Sequence, residues 1–227
     1  MTIDGPAGAG KSSAARALAA RLGFRFLDTG AMYRAVTLAA IERGVDLEDA
    51  DALLDVAKSI HIDLADGLVQ LDGRDVTRAI RTFEITTATR YAADHPGVRA
   101  HLVALQQKWA DHLDVVAEGR DQSTVVFPHA ECKIYLTASE EVRADRRYLD
   151  MVNRGEHVSR AEVLDKQRDR DTRDCTRAVG ALTKTPQQIE VNTDGMSQDQ
   201  VVERLMELVL EKQTAAAPAT PSEAAPS

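Results

Sequence analysis

At 227 residues the chain is long enough for one large α/β domain with small insertions, and a 44% hydrophobic content suits an ordinary globular core. Aromatic residues make up only 4%, so that core must rest on Ala, Val, Leu and Ile. A net charge of −8 argues against a nucleic-acid partner, the two cysteines match no metal or C-x-x-C spacing, and no apolar run approaches membrane-spanning length, which leads us to expect a soluble, cytoplasmic protein with reduced thiols. Against that acidic background, nine arginines fall between Arg143 and Arg177, a local basic face suited to a small anionic ligand.

Taken in order, Thr2-Ile3-Asp4 reads as a strand, clipped enough to suggest that further residues precede it. Gly5-Pro6-Ala7-Gly8-Ala9-Gly10-Lys11-Ser12 follows and fits G-x-x-x-x-G-K-[ST] at every fixed position. Its glycines let successive N–H groups turn toward one anion, Lys11 supplies a point charge for the β- and γ-phosphates, and the Ser12 hydroxyl is placed to ligate Mg²⁺. The Ala-, Leu- and Arg-rich run from Ser12 to Leu22 predicts a helix with its positive end at the phosphates. A Gly-rich surface turn is the competing reading, and the flanking helix opposes it.

Phe24 to Leu27 is a short apolar run ending in Asp28-Thr29-Gly30, a turn signal, with a helix expected from Ala31 to Arg43. There the Thr29 hydroxyl, helix-start amides and Arg34 one turn on make a second anion site. A helix over Glu48–Ser59 gives way to alternation at Ile60–Leu64, a turn at Asp66-Gly67, a second strand at Leu68–Leu71 and a turn at Asp72-Gly73, together a small antiparallel insert. Helices are expected over Thr82–Ala93 and Pro96–His112.

Val115–Ala117 is a buried-type strand that delivers Glu118-Gly119-Arg120-Asp121, and Lys133–Leu136 is another. Ser139 opens a long charged helix, and Ser159 caps one running to about Asp174, on which Arg170, Arg173, Asp174 and Arg177 share a face. Alone, such a run reads as a solvated, salt-bridged helix; beside a phosphate cradle and strand-end arginines it reads as an anion-binding face. Ile189–Asn192 is the last strand, Ser197 caps the last helix, and residues 213–227, mostly Ala, Pro, Thr and Ser, read as a disordered tail. Alternating strands and helices imply a parallel sheet whose carboxyl ends gather these motifs at one edge.

D-G-P-x-G-A-G-K, L-D-T-G-A-M-Y-R, G-R-D-x-x-T-V-V-F-P and T-R-A-V, in this order from Thr2 to about Val209, resemble the bacterial-type cytidylate kinase family of P-loop nucleoside monophosphate kinases. The resemblance implies a P-loop NTPase-like parallel sheet flanked by helices within residues 1–212, a monophosphate-binding insert at about 60–81 and a helical lid at about 139–172. It implies a monomer carrying out ATP + CMP → ADP + CDP, with dCMP as a second acceptor and Mg²⁺ as cofactor. ATP would lie on Gly5, Pro6, Ala7, Gly8, Ala9, Gly10, Lys11, Ser12 and Ser13, with Arg147 from the lid and Mg²⁺ on Ser12. Thr29, Tyr33, Arg34, Arg99, Arg120 and Asp121 would surround CMP, with Arg170, Asp174 and Arg177 on its ribose and phosphate. Lys11, Arg34, Arg120, Arg170 and Arg177 would stabilise the transferring group, while Glu118 orients a metal-bound water. Arg143, Arg146 and Arg154 fall, with Arg147, where the family has its lid over ATP.

Two positions depart from the pattern: Ser123 stands where the family usually has Gly, and Arg90 where it usually has a Ser that helps bind cytosine. Thr89, one position earlier, offers a hydroxyl that would substitute. Arg90 motivates one alternative, a kinase of another monophosphate such as UMP; a non-catalytic ATP-binding switch is the other.

Overall fold

The computed structural model describes residues 1–65 and 67–216. In chain order its elements are β1 (Thr2–Asp4), α1 (Lys11–Leu22), β2 (Arg25–Asp28), α2 (Thr29–Glu42), α3 (Ala50–Ser59), β3 (Ile62–Ala65), β4 (Leu68–Leu71), β5 (Arg74–Asp75), α4 (Phe83–Asp94), α5 (Pro96–Trp109), β6 (Val115–Gly119), β7 (Lys133–Thr137), α6 (Glu140–Asn153), α7 (Arg160–Thr176), β8 (Ile189–Asn192) and α8 (Gln198–Ala216). A 3₁₀ turn at Ala79–Arg81 precedes α4, and a π-helical turn at Gln122–Val126 follows β6.

Five strands form one parallel sheet in the order β2-β6-β1-β7-β8. Three residues suffice for β1 because it is the central strand, wholly buried and bonded on both edges. Period-two alternation divides the core. Val115 and Ala117 pack with α2–α5 on one face, whereas Val116, Ile3, Ile134 and Leu136 pack with α1 and α8 on the other. All five strands therefore point their carboxyl ends the same way, and the loops after β1, β2, β6, β7 and β8 line one edge.

The insert between α3 and α4 is an antiparallel sheet ordered β3-β4-β5, one short strand more than expected. Asp66 of its predicted turn lies outside the described residues, while Gly67 takes φ 87° as the turn requires. Several expected boundaries move by a few residues (α3 begins at Ala50, β3 at Ile62, and α5 ends at Trp109), and two of the shifts have a clear local cause. The helix expected from Ala31 begins at Thr29, because Asp28 acts as its N-cap, accepting from Ala31 N at 2.9 Å, instead of opening a turn. The last helix runs through Ala216, into the stretch expected to be disordered; alanine favours helix, and Thr214 Oγ1 donates to Leu210 O at 2.8 Å. Residues 217–227 lie outside the described residues. No helix among the described residues is long and apolar enough to cross a membrane.

Candidate active site

The loop from Gly5 to Gly10 is held open by positive φ at Gly5, Gly8 and Gly10 (149°, 80° and 89°), and a Cβ on Gly5 would stand 1.9 Å from Leu136 O. Gly10 caps α1 without any side-chain acceptor, so the first N–H groups of the helix stay available to an anion. Lys11 is 5% exposed and donates to Pro6 O at 2.7 Å. Burial, with Arg120 and Arg170 nearby, pulls its ammonium down to about 7 despite the opposing charge of Glu118. Ser12 Oγ donates to Glu118 Oε1 at 2.6 Å, since β6 lies directly beside β1. Burial and the neighbouring Asp28 carboxylate push Glu118 above the usual carboxylate range.

At the end of β2, burial raises the Asp28 carboxyl, but the guanidinium groups of Arg34 and Arg81 outweigh that and hold it below the ordinary range. Arg34 Nη2 reaches both carboxylate oxygens at 3.2 Å, and Arg81 Nη2 reaches one at 3.2 Å. Thr29 Oγ1 donates to Glu118 O at 2.7 Å and accepts from Gln122 Nε2 at 3.3 Å. Arg81 and Gln122 are not among the residues expected at the site; each is placed by contacts across dozens of residues.

Beyond β6, Arg99 and Asp121 form a buried ion pair, with the Arg99 guanidinium 5.4 Å from the centre of the Tyr33 ring. Burial raises the Asp121 carboxyl, with Arg99 opposing. Gly180, at φ 69°, passes so close that a Cβ would meet Arg99 Nη2 at 1.9 Å and Asp121 Oδ2 at 2.4 Å. Gly180→Ala is therefore expected to cost ~1–2 kcal/mol for the left-handed backbone alone, with the clash in addition, read as a lowered melting midpoint.

At the end of α7, Asp174 collects three arginines: Arg120 Nε at 2.7 Å, Arg177 Nη2 at 2.8 Å and Arg170 Nε at 3.9 Å. Burial opposes ionisation, yet Arg120 and Arg170 bring its carboxyl down to about 2. Arg177 also donates to Asp94 Oδ1 at 2.7 Å, which ties α7 to α4. Arg170, half-buried, is pulled down to about 9 by desolvation and by the neighbouring Arg120 and Arg147, with Asp174 opposing.

These groups surround a cleft with two lobes. One, of about 390 Å³, is lined by Thr29, Tyr33, Arg99, Arg120, Asp121, Asp174 and Arg177; the other, of about 910 Å³, by Ala9, Gly10, Ser13, Arg146 and Thr193. Gly8, Lys11, Ser12, Arg34, Arg147 and Arg170 line both. Ala7 faces the smaller lobe, whereas Gly5 and Pro6 shape the loop without lining either. Arg34 Nε and Arg99 Nε are buried with no partner among the described residues, leaving donors for an anion.

The four arginines expected over ATP part company. Arg143 is a buried staple, donating to Ala138 O at 3.0 Å, to Ala7 O of the glycine loop at 3.0 Å and to Asp171 at 2.6 Å. Arg146 bonds Thr193 through Oγ1 and O, both at 2.9 Å, and Arg154 reaches Arg81 O at 3.5 Å on the far rim. Of the four, only Arg147 lies at the junction of the lobes. An arginine-rich helix shows which residues share a face, but not how deep each one sits.

A family model described as "Cytidylate kinase" matches residues 1–211. The chain belongs to the cytidylate kinase family. A cytidylate kinase of Rhodopirellula baltica is 47% identical over 211 residues, covering 93% of this chain and 92% of its own, and one of Anoxybacillus flavithermus is 43% identical over 216 residues, covering 93% and 96%. A third, from Solibacter usitatus, is 41% identical over 216 residues, covering 94% and 93%. Among solved structures, TT1252 from Thermus thermophilus aligns over 93% of this chain and 95% of its own at 21% identity, with a TM-score of 0.46. Membership makes this cytidylate kinase family member a phosphotransferase, with a five-stranded parallel sheet flanked by helices and a small antiparallel sheet beside it.

Proposed function

We propose that the enzyme transfers the terminal phosphate of ATP to CMP and dCMP, with ATP in the larger lobe on the glycine loop and the acceptor in the smaller one. The observation that carries this reading is the shared wall: Lys11, Arg34, Arg147 and Arg170 line both lobes, where the ATP triphosphate and the acceptor's single phosphate would meet. The acceptor phosphate is already ionised at neutral pH, so no general base is called for; the task is to bring two polyanions together and stabilise the moving charge. Lys11, Arg34, Arg120, Arg170 and Arg177 would share that work, with Arg147 from α6 at the same junction. Ser12 and Glu118 present oxygen donors 2.6 Å apart at the head of α1, a set that suits Mg²⁺ with substrate phosphates completing its shell. Bound there, the ion would neutralise charge on the phosphates. A monomeric, cytoplasmic enzyme is part of the same reading, and the charge of −8 opposes a nucleic-acid partner.

Asp121 lines the acceptor lobe and offers acceptor atoms only, which suits the cytosine amine and opposes the uracil carbonyl. Arg90, the departure from the family pattern, sits at the lobe's edge with its guanidinium 4.7 Å from the Tyr91 ring and Nη2 donating to Tyr91 Oη at 2.8 Å. Thr89 lines the same lobe and donates to Ile85 O at 2.6 Å. An acceptor panel of CMP, dCMP, UMP and AMP tests the reading. CMP and dCMP are expected to be used in preference to UMP and AMP, with the order unchanged in Arg90→Ser because Arg90 is already engaged. Preference for UMP or AMP, or no transfer to any acceptor, would sink it.

A further inference from the structure

Asp4 ends β1 one residue ahead of the glycine loop, is 1% exposed and lines neither lobe of the cleft. Its carboxylate nevertheless gathers three N–H donors. Oδ1 accepts from Gln122 N at 2.8 Å, and Oδ2 accepts from Ser123 N at 2.8 Å and from Gln188 Nε2 at 3.0 Å. Gln122 and Ser123 directly follow Arg120-Asp121 and open the π-helical turn. Gln188 is 6% exposed; its amide also donates to Ser123 Oγ at 3.0 Å, and its Oε1 accepts from Thr185 N at 2.8 Å in the loop leading away from Arg177. Ser123 Oγ lies 2.9 Å from Thr2 Oγ1, so the side chain that departs from the family pattern is built into the same network.

We propose that Asp4 is a positioning residue for phosphoryl transfer: one buried carboxylate sets the register between the glycine loop, the Arg120-Asp121 segment and the loop behind Arg177. The proposal rests on assigning Arg120 and Asp121 to the acceptor side. A carboxylate is required there. Each of its oxygens takes a backbone N–H, so an asparagine in either amide orientation would set its NH₂ against a donor. Loss of the hub lets the acceptor-side arginine drift relative to the phosphate cradle, and a misplacement of about 1 Å costs on the order of 10²-fold in rate. The cradle's own N–H groups belong to residues 5–12 and α1, so the grip on ATP is retained.

The test compares Asp4→Asn, Gln188→Leu and the double variant for kcat, KM for CMP, KM for ATP and melting midpoint. Asp4→Asn is expected to lower kcat/KM for CMP on the order of 10²-fold, and Gln188→Leu on the order of tenfold. KM for ATP should stay within about threefold in both, and the double variant should do no worse than Asp4→Asn, because Gln188 acts through Asp4. Additive losses in the double variant, equal losses for ATP and CMP, or unchanged CMP kinetics in folded single variants would overturn the proposal. Should Asp4→Asn fail to fold, the CMP-against-ATP split in Gln188→Leu decides it. Arg120→Ala separates the two readings: unchanged CMP use there refutes the acceptor assignment, whereas a damaged Arg120→Ala beside unaffected Asp4 and Gln188 variants refutes the hub alone.

Discussion

Lys11→Ala is expected to reduce phosphoryl transfer on the order of 10²–10³-fold, the cost of removing one preorganised group from a transferring charge, while leaving the protein folded. The side chain is buried and, among the described residues, meets only Pro6 O at 2.7 Å as a hydrogen-bond acceptor, and its charge is held there at a desolvation cost that brings it to about 7. Since the folded value lies below the unfolded one of 10.5, the charged form opposes folding at pH 7, and that penalty fades as pH rises from about 7 toward 10.5. Removing the ammonium should therefore not lower the melting midpoint through electrostatics. The same value gives ATP binding a pH signature. Phosphate beside Lys11 favours the ammonium, so binding near pH 7 takes up a proton, and affinity falls as pH rises through about 7. Calorimetry in buffers of different ionisation heat reads this uptake. A folded Lys11→Ala enzyme with wild-type turnover would refute the cradle assignment.

Arg177→Ala is expected to lower kcat/KM for CMP by about 10–100-fold, corresponding to ~1.5–3 kcal/mol for a lost hydrogen bond to a charged group, with KM for ATP little changed. Arg177 joins two helices at the smaller lobe by bonding both Asp94 and Asp174, and its side chain is 8% exposed. Its removal also leaves Asp174 with Arg120 and Arg170 as cationic partners. Because the folded carboxyl titrates near 2 against an ordinary 3.8, its contribution to stability is present above about 3.8 and lost as pH falls through about 2. In the variant, with one cation fewer holding the carboxyl down, that contribution is smaller and its loss is complete at a higher pH. Unchanged kinetics across a CMP titration would exclude Arg177 from the acceptor side.

Much of this was legible because it is encoded locally. The glycine loop is a contiguous string, the face shared by Arg170, Asp174 and Arg177 follows from helical spacing, and the strand-end placement of Arg120 follows from an apolar run that stops there. What escaped is what long-range contacts decide. Nothing in the spacing pairs Asp28 with Arg81, 53 residues on, or Asp4 with Gln188, 184 residues on. Asp28 carried a readable signal, since an aspartate followed by a helical pattern is a good N-cap, but the adjacent Gly30 looked like a turn. Glu118 stood at a strand end in plain view; only the neighbouring of β6 and β1 sets its carboxylate on Ser12.

Arg143 governs how the helical pair α6–α7 can bend. Its guanidinium grips Ala7 of the glycine loop and Asp171 of α7 together, so the root of the pair travels with the floor of the site as one body. Displacement of the outer tip around Gly155 then has to be absorbed by flexing along the helices, as in a leaf spring clamped at one end. Arg147, one helical turn beyond that clamp on α6, is thereby held close to the floor of the site.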